Sequence, residues 1–199
     1  MNIKELKSEI EGIDIYLLDQ ILKERYQQND VILDTGCGSG RNLKWFYENK
    51  FTVYGVDSLE SRIEEVKEKY TEQHSNFSVQ NLDQLQFENH FFDHVICSAV
   101  LHFAQNKQQF KRMVAELFRV LKPGGSLFIR MTSNFGIEDK VQSISDGVYY
   151  LPDTTNRFLL TSDLVAYLKE TFSFTYLELL KTVNVNNIRC MSTLVLKKE

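Results

Sequence analysis

Proline, cysteine, tryptophan and excess positive charge are all scarce in this chain of 199 residues. The two prolines, Pro123 and Pro152, open no linker, and no repeat or low-complexity stretch breaks the sequence. Three cysteines, Cys37, Cys97 and Cys190, are scattered and odd in number. They supply neither a disulfide framework nor the paired spacing of a zinc site, so a metal-free, reduced, cytoplasmic protein is expected. Lys and Arg number 23 against 27 Asp and Glu, a formal net charge of −4. The basic field behind most sequence-independent nucleic-acid affinity is missing, although a local basic patch is compatible with that balance. The longest apolar run, 95–101, is interrupted by Ser98 and falls far short of the ~20 residues of a bilayer span. The opening MNIKELKSEIEG has no apolar h-region, so neither a signal peptide nor a membrane partner is expected. What remains is an ordinary globular composition, 43% apolar and 25% charged. One domain is the natural reading, large enough to bury roughly 70% of its unfolded-chain surface.

Short apolar runs alternate with helical patterns. A short helix is expected over 3–10. A second over 13–26 places Ile13, Leu17, Leu18, Ile21 and Leu22 at helical spacing, with Asp14 as N-cap. Buried strands follow at 31–33, 51–56, 77–79, 92–97 and 126–131. Between them fall helices at 41–49, 60–70 and 107–121, the last with Phe110, Val114, Leu117, Phe118 and Leu121 on one face. Lys122-Pro123-Gly124-Gly125 reads as a turn. Strands separated by helices imply right-handed crossovers and a parallel sheet. After Met131 the rhythm changes. The polar stretch 132–160 has little periodicity and is long for a loop, which suggests a functional or mobile segment. A helix at 162–171 precedes two strands, 172–183 and 188–197, whose Asn184 to Asn187 turn makes them an antiparallel hairpin at the sheet edge.

The most informative segment is Asp34-Thr35-Gly36-Cys37-Gly38-Ser39-Gly40-Arg41-Asn42, between a buried strand and a helix. That is where an α/β sheet places its ligands. Alternating glycines allow a tight turn and close approach of a ligand, and a following helix N-terminus suits a carboxylate or phosphate. A dinucleotide turn would carry its third glycine one residue later, where Arg41 stands, and a P-loop would end in Gly-Lys-Ser/Thr.

Asp-x-Gly-x-Gly-x-Gly at 34–40 resembles motif I of the class I S-adenosylmethionine-dependent methyltransferases. Val53-Tyr54-Gly55-Val56-Asp57 resembles that family's second strand with its terminal acidic residue. Phe92-Asp93-His94-Val95-Ile96-Cys97-Ser98 resembles its fourth strand, and Leu117 through Gly125 the helix-turn before its fifth. The four motifs, in order, cover about residues 30–131, and the compact length, the Gly40-Arg41-Asn42 run and the terminal 188–197 strand resemble the methyltransferase type 11 / tellurite-resistance-type group. The resemblance implies an α/β, Rossmann-like doubly wound fold: a mostly parallel seven-stranded sheet with an antiparallel C-terminal strand. It implies one methyltransferase domain over 1–199, with a helical cap at 1–29, a cofactor-binding core at 30–131, and an acceptor-side loop and hairpin at 132–199.

The implied cofactor is S-adenosyl-L-methionine, leaving as S-adenosyl-L-homocysteine. Its methionine end would lie on Asp34, Thr35, Gly36, Cys37, Gly38 and Gly40, with Arg41 or Asn42 meeting its carboxylate. Asp57, 21 residues after Gly36, would accept from the ribose hydroxyls, and Ser58 and Leu59 would flank the adenine. The segment 79–87 resembles the adenine-edge loop, except that Asn81 stands where the family usually has aspartate. Asn81, Leu82 and Asp83 are therefore all candidates there, and either polar residue could accept from the adenine amino group. Ser98 and Ala99 would leave the fourth strand beside the methionine end, and His102 is the candidate catalytic base. Cys37 reads as a small, well-fitting residue rather than a reactive thiol, the alternative being a thiol whose pKa a neighbouring helix N-terminus lowers. His74, His90 and His94 receive no role.

Methyl transfer from a sulfonium requires alignment more than acid–base chemistry. The strand-four end Ser98-Ala99-Val100-Leu101 lacks the Pro-Pro-aromatic motif of amino-methylating nucleic-acid enzymes, and no Pro-Cys nucleophile is present. A small-molecule acceptor is therefore favoured over nucleic acid. Its contacts are expected from Asp14, Tyr16, His102, Phe103, Arg130, Tyr149, Tyr150 and Arg157. A protein or RNA methyltransferase, a non-catalytic cofactor-binding module and a nicotinamide-dependent reductase are the alternatives. The acceptor atom and the oligomeric state are not legible.

Overall fold

A computed structural model describes residues 2–199. The helical cap comprises α1 (Ile3–Ile10), begun by an Asn2–Glu5 capping box, and α2 (Ile15–Leu22). Asp14 caps α2, its Oδ1 accepting from the Tyr16 N–H at 3.0 Å. Then follow β1 (Val31–Thr35), α3 (Lys44–Glu48), β2 (Thr52–Asp57), α4 (Glu60–Lys69), β3 (Phe77–Val79) and β4 (Phe92–Ser98). The chain continues through α5 (Lys107–Val120), β5 (Leu121–Ser133), β6 (Gln142–Ser145), β7 (Val148–Tyr150) and β8 (Asn156–Phe158). It ends with α6 (Ser162–Thr171), β9 (Phe174–Val185) and β10 (Arg189–Lys198).

The main sheet has seven strands in the order β3-β2-β1-β4-β5-β10-β9, parallel except for β10. Alternating side chains of the central strands feed two buried clusters, as a sheet covered on both faces requires. Leu33, Val95 and Cys97 meet Phe110, Val114 and Leu117 of α5 on one face. Ile32, Val53 and Ile96 meet Leu17, Phe46 and Ile63 on the other. The face of α5 at 110, 113, 114, 117 and 118 is buried, and Asn106 caps the helix through the Gln109 N–H at 2.8 Å. The cap is tied to the far edge through Glu178, which accepts from Gln20 at 3.1 Å and Arg25 at 3.2 Å.

Three expectations are corrected. The stretch 132–160 contains a second, three-stranded antiparallel sheet, β6-β7-β8. It escapes periodicity because every residue of β6 is exposed, so no apolar alternation marks it. It is anchored by Phe158, fully buried and stacked on Phe110 with centroids 4.9 Å apart. The antiparallel hairpin expected at the sheet edge is present, with β9 outermost and β10 between it and β5. The helix expected over 41–49 begins only at Lys44, because Gly40 adopts φ +76° and turn hydrogen bonds span 37–43. Residues 122–125 lie inside β5 as an irregularity in its pairing with β4, with Gly124 at φ +81°.

Candidate active site

Over the carboxyl ends of β1, β2 and β4 lies a cavity of about 360 Å³, within the usual size of a small-ligand site. One wall carries Gly36, Asp57, Ser58 and Leu59. The loop after β3 contributes Asn81, Leu82 and Asp83, and the turn after β4 contributes Ala99 and Val100. Asp57 ends β2, and its carboxylate is fixed by two backbone donors: Gly38 N–H to Oδ2 at 3.0 Å and Leu59 N–H to Oδ1 at 3.0 Å. Each oxygen keeps a lone pair for a further donor. The loop is held by α5. Arg119 donates to the Leu85 carbonyl at 2.9 Å and the Phe87 carbonyl at 2.7 Å, and Glu116 accepts from the Leu85 N–H at 2.7 Å. Asp83 is engaged by Arg112 at 3.2 Å. Gln109 and Met113 complete the cavity from α5, and nothing in the α5 sequence signals that role.

The glycine turn divides by task. Gly36 lies at φ +71°, and a Cβ there would sit 2.4 Å from Val100 Cγ2, so glycine is required before any ligand arrives. A Cβ on Gly40 would strike Tyr70 at 2.4 Å, which makes Gly40 a packing glycine. Gly38, at φ +52°, has open space at that position. Asp34 is buried, and its Oδ2 has no partner. Burial raises its pKa to about 8, partly offset by Arg41. Thr35 donates to the Ile96 carbonyl at 3.0 Å. Asn42 accepts from the Asp14 N–H at 3.0 Å, and Arg41 donates to the Gly12 carbonyl at 2.8 Å. Cys37 is no reactive thiol: the helix N-terminus expected beside it is absent, and burial pushes its pKa far up.

Beside this cavity is a second of about 260 Å³, lined by Ala99, His102, Arg130, Thr132, Arg157 and Arg189. Ala99 lines both. It holds φ +62°, and its N–H donates to the Arg130 carbonyl at 2.7 Å. A strained non-glycine residue at the junction of two cavities is a common mark of a functional site. His102 is 8% exposed, and its Nδ1 has no partner. Burial, then Arg157, Arg189 and Arg130, lower its pKa to about 4. Asp14 ties the cap to this pocket, its Oδ2 accepting from Ser98 Oγ at 3.0 Å and Arg130 Nη1 at 3.2 Å. Tyr16 stacks under Arg130, 5.2 Å from ring centroid to guanidinium. A third cavity, about 310 Å³, adjoins on the side of Phe103, His102 and β8. Tyr149 and Tyr150 line none of the three. Arg189, near the end of the chain, carried no sequence signal for this pocket.

A sequence model described as a methyltransferase domain matches residues 33–129. Residues 33–129 thus carry a class I S-adenosylmethionine-dependent methyltransferase domain. Among curated relatives it is 33% identical over 110 residues to a probable tRNA methyltransferase 9B of Homo sapiens, covering 55% of this chain and 23% of that protein. It is 30% identical over 121 residues to a ubiquinone biosynthesis O-methyltransferase of Rickettsia canadensis, covering 57% and 48%. The chain thus spans less than half the length of these relatives. The PH0226 protein of Pyrococcus horikoshii shares the fold, with TM-score 0.70, 22% identity, and coverage of 100% of this chain and 93% of that one. So does a Burkholderia thailandensis 1,6-didemethyltoxoflavin-N1-methyltransferase with bound 1,6-didemethyltoxoflavin and S-adenosylhomocysteine, with TM-score 0.67, 19% identity, and coverage of 98% and 81%.

The residues present fit the methyltransferase cofactor. S-adenosylmethionine carries a cationic ammonium, a ribose diol and an adenine. The turn offers the orphaned Asp34 oxygen, the pre-oriented Asp57 carboxylate and a loop with amide and carboxylate acceptors. Among the described residues no helix is long and apolar enough to cross a membrane, and no group of His, Cys, Asp and Glu is arranged to hold a metal.

Proposed function

We propose that this chain transfers a methyl group from S-adenosyl-L-methionine to a small-molecule acceptor by in-line displacement. The observation that carries the reading is the junction at Ala99, which lines both the Asp57 cavity and the His102 pocket. When bound, the cofactor supplies an electrophilic methyl on a sulfonium. Asp57 holds the ribose diol, Asp34 faces the ammonium, and Leu59 with Ser58 borders the adenine. Asn81 is the adenine-edge acceptor, because Asp83 is already paired with Arg112. His102 stays neutral at physiological pH and presents an unpaired ring nitrogen to the acceptor side, where it takes the proton an amine or alcohol must lose. Phe103, exposed between the first and third cavities, helps exclude water when the site fills. Three buried free thiols suit a cytoplasmic setting.

The test is calorimetric titration with S-adenosylhomocysteine, with NADH and NADPH as controls, followed by an acceptor screen. Selective binding of S-adenosylhomocysteine is expected. Binding of the nicotinamide nucleotides instead would overturn the assignment, and cofactor binding with no turnover on any acceptor would favour a non-catalytic module. An RNA acceptor is the second reading, favoured by the relative named for tRNA methylation. Methylation of bulk tRNA would establish it.

A further inference from the structure

The chain is acidic overall, yet three guanidinium groups converge on one pocket beside the cofactor cavity. They come from three separate strands: Arg130 from β5, Arg157 from β8 and Arg189 from β10. Two carboxylates face them. Asp14 lies 3.2 Å from Arg130, and Asp153 lies 3.6 Å from Arg189. Arg157 has no ion-pair partner among the described residues. Its guanidinium lies over the Phe103 ring at 5.2 Å, and one nitrogen donates to the Asn156 carbonyl at 2.8 Å. The charge is therefore uncompensated by one unit. A donor is also unspent: the buried Arg130 Nε lacks a partner. Like charges gathered with unpaired donors in a concave, partly buried site cost stability unless an anion offsets them. Guanidinium forks match the paired oxygens of carboxylate and phosphate.

We propose that this pocket binds a carboxylate or phosphate group of the small-molecule acceptor, held by Arg157 and Arg189 and flanked by Arg130, so that the methyl-accepting atom is presented at Ala99. The proposal rests on the methyltransferase reading for the purpose of the anion, but the pocket itself can be tested without the cofactor. β8, in the small added sheet, brings Arg157 to the pocket, so that sheet is a specificity element. An RNA phosphate backbone would require a basic track; these arginines instead gather at one pocket, which suits a single anionic group.

Benzoate, phenyl phosphate and the neutral benzamide are titrated by ligand-observed NMR into the full chain, with and without saturating S-adenosylhomocysteine. The variants are Arg157→Gln and Arg189→Gln, with thermal melts to verify folding. Benzoate or phenyl phosphate should bind, and benzamide should bind about tenfold more weakly or not at all, as expected for losing charge-assisted hydrogen bonds. Whichever anion binds more tightly names the group. Each variant should weaken that anion by about tenfold or more while leaving S-adenosylhomocysteine affinity unchanged. The His102 ring titration should move up when the anion binds, because the arginine charge facing it is then neutralised. Equal binding of benzamide, anion binding insensitive to both variants, or no anion binding would overturn the proposal. Bulk tRNA is the further arm: Arg-dependent tRNA binding with no binding of either small anion would assign the arginines to RNA and also overturn it. Failure of S-adenosylhomocysteine to bind would sink the cofactor reading alone, because the cofactor-free titration still decides the pocket.

Discussion

The two buried histidines lie near opposite ends of β4 and make opposite bargains with their surroundings. His94, toward the amino end, has both ring nitrogens occupied: Nδ1 by Ser126 Oγ at 2.6 Å and Nε2 by Asp30 Oδ2 at 2.8 Å. Tyr26 closes the cluster edge-on at 4.8 Å. His102, just past the carboxyl end, leaves Nδ1 unpaired among three arginines. Burial lowers both pKa values. The Ser126–His94–Asp30 geometry resembles a hydrolytic triad, but every group in it is buried or half-buried and lines none of the three cavities. A completed hydrogen-bond set serves the fold. An incomplete one, at the end where doubly wound sheets bind ligands, fits the proposed acceptor-side role.

The largest effect that would sharpen this comparison is on stability. His94→Ala should destabilise the protein by about 2–4 kcal/mol, by removing buried packing, leaving Ser126 Oγ unpaired and leaving Asp30 Oδ2 only its Gln27 N–H donor, with cofactor affinity unchanged. His102→Ala should cost far less stability in the same denaturant titration. A larger loss at His102 would reverse the assignment of roles. Next, Asp57→Ala should weaken S-adenosylhomocysteine by about 1.5–3 kcal/mol, through loss of charge-assisted hydrogen bonds, read by calorimetry. An unchanged dissociation constant would leave Asp57 only its two backbone contacts. Smaller is the acid response. His102 titrates near 4 when folded against about 6.5 when unfolded, so the unfolded chain binds the proton first. Its contribution to stability is complete above about 6.5 and is lost as pH falls toward 4. His94, also lowered, acts in the same direction. His102→Asn should flatten part of this slope in thermal melts, whereas an identical slope would show that His102 is not buried uncharged. Smallest, Asn81→Ala should weaken S-adenosylhomocysteine by about 1 kcal/mol, and Asp83→Asn by less.

How much of this was legible follows from where each signal resides. Buried strands and the α5 face are written in apolar periodicity, and α6 was readable to its limits. The glycine turn was legible because backbone conformation demands glycine, although Gly36 and Gly40 answer to Val100 and Tyr70 as well as to a ligand. The small added sheet was not read, because β6 is exposed throughout; the Asp146-Gly147 hairpin signal, with Gly147 at φ +85°, was the available cue. The site's long-range pairings were beyond reach. Asp14 lies 116 positions from Arg130, and no local pattern reports that they meet. Arg130 and Arg157 were picked out for polarity alone. Arg189 escapes sequence reading because one arginine at the start of the last strand carries no local sign of a pocket.

The most direct test of the account is amide hydrogen exchange with and without S-adenosylhomocysteine. The account predicts added protection at the carboxyl ends of the strands, over 35–38, 57–59, 80–83 and 98–103, and little change around Asp30, His94 and Ser126. Protection centred on the His94 cluster, with none along the glycine turn, would contradict it.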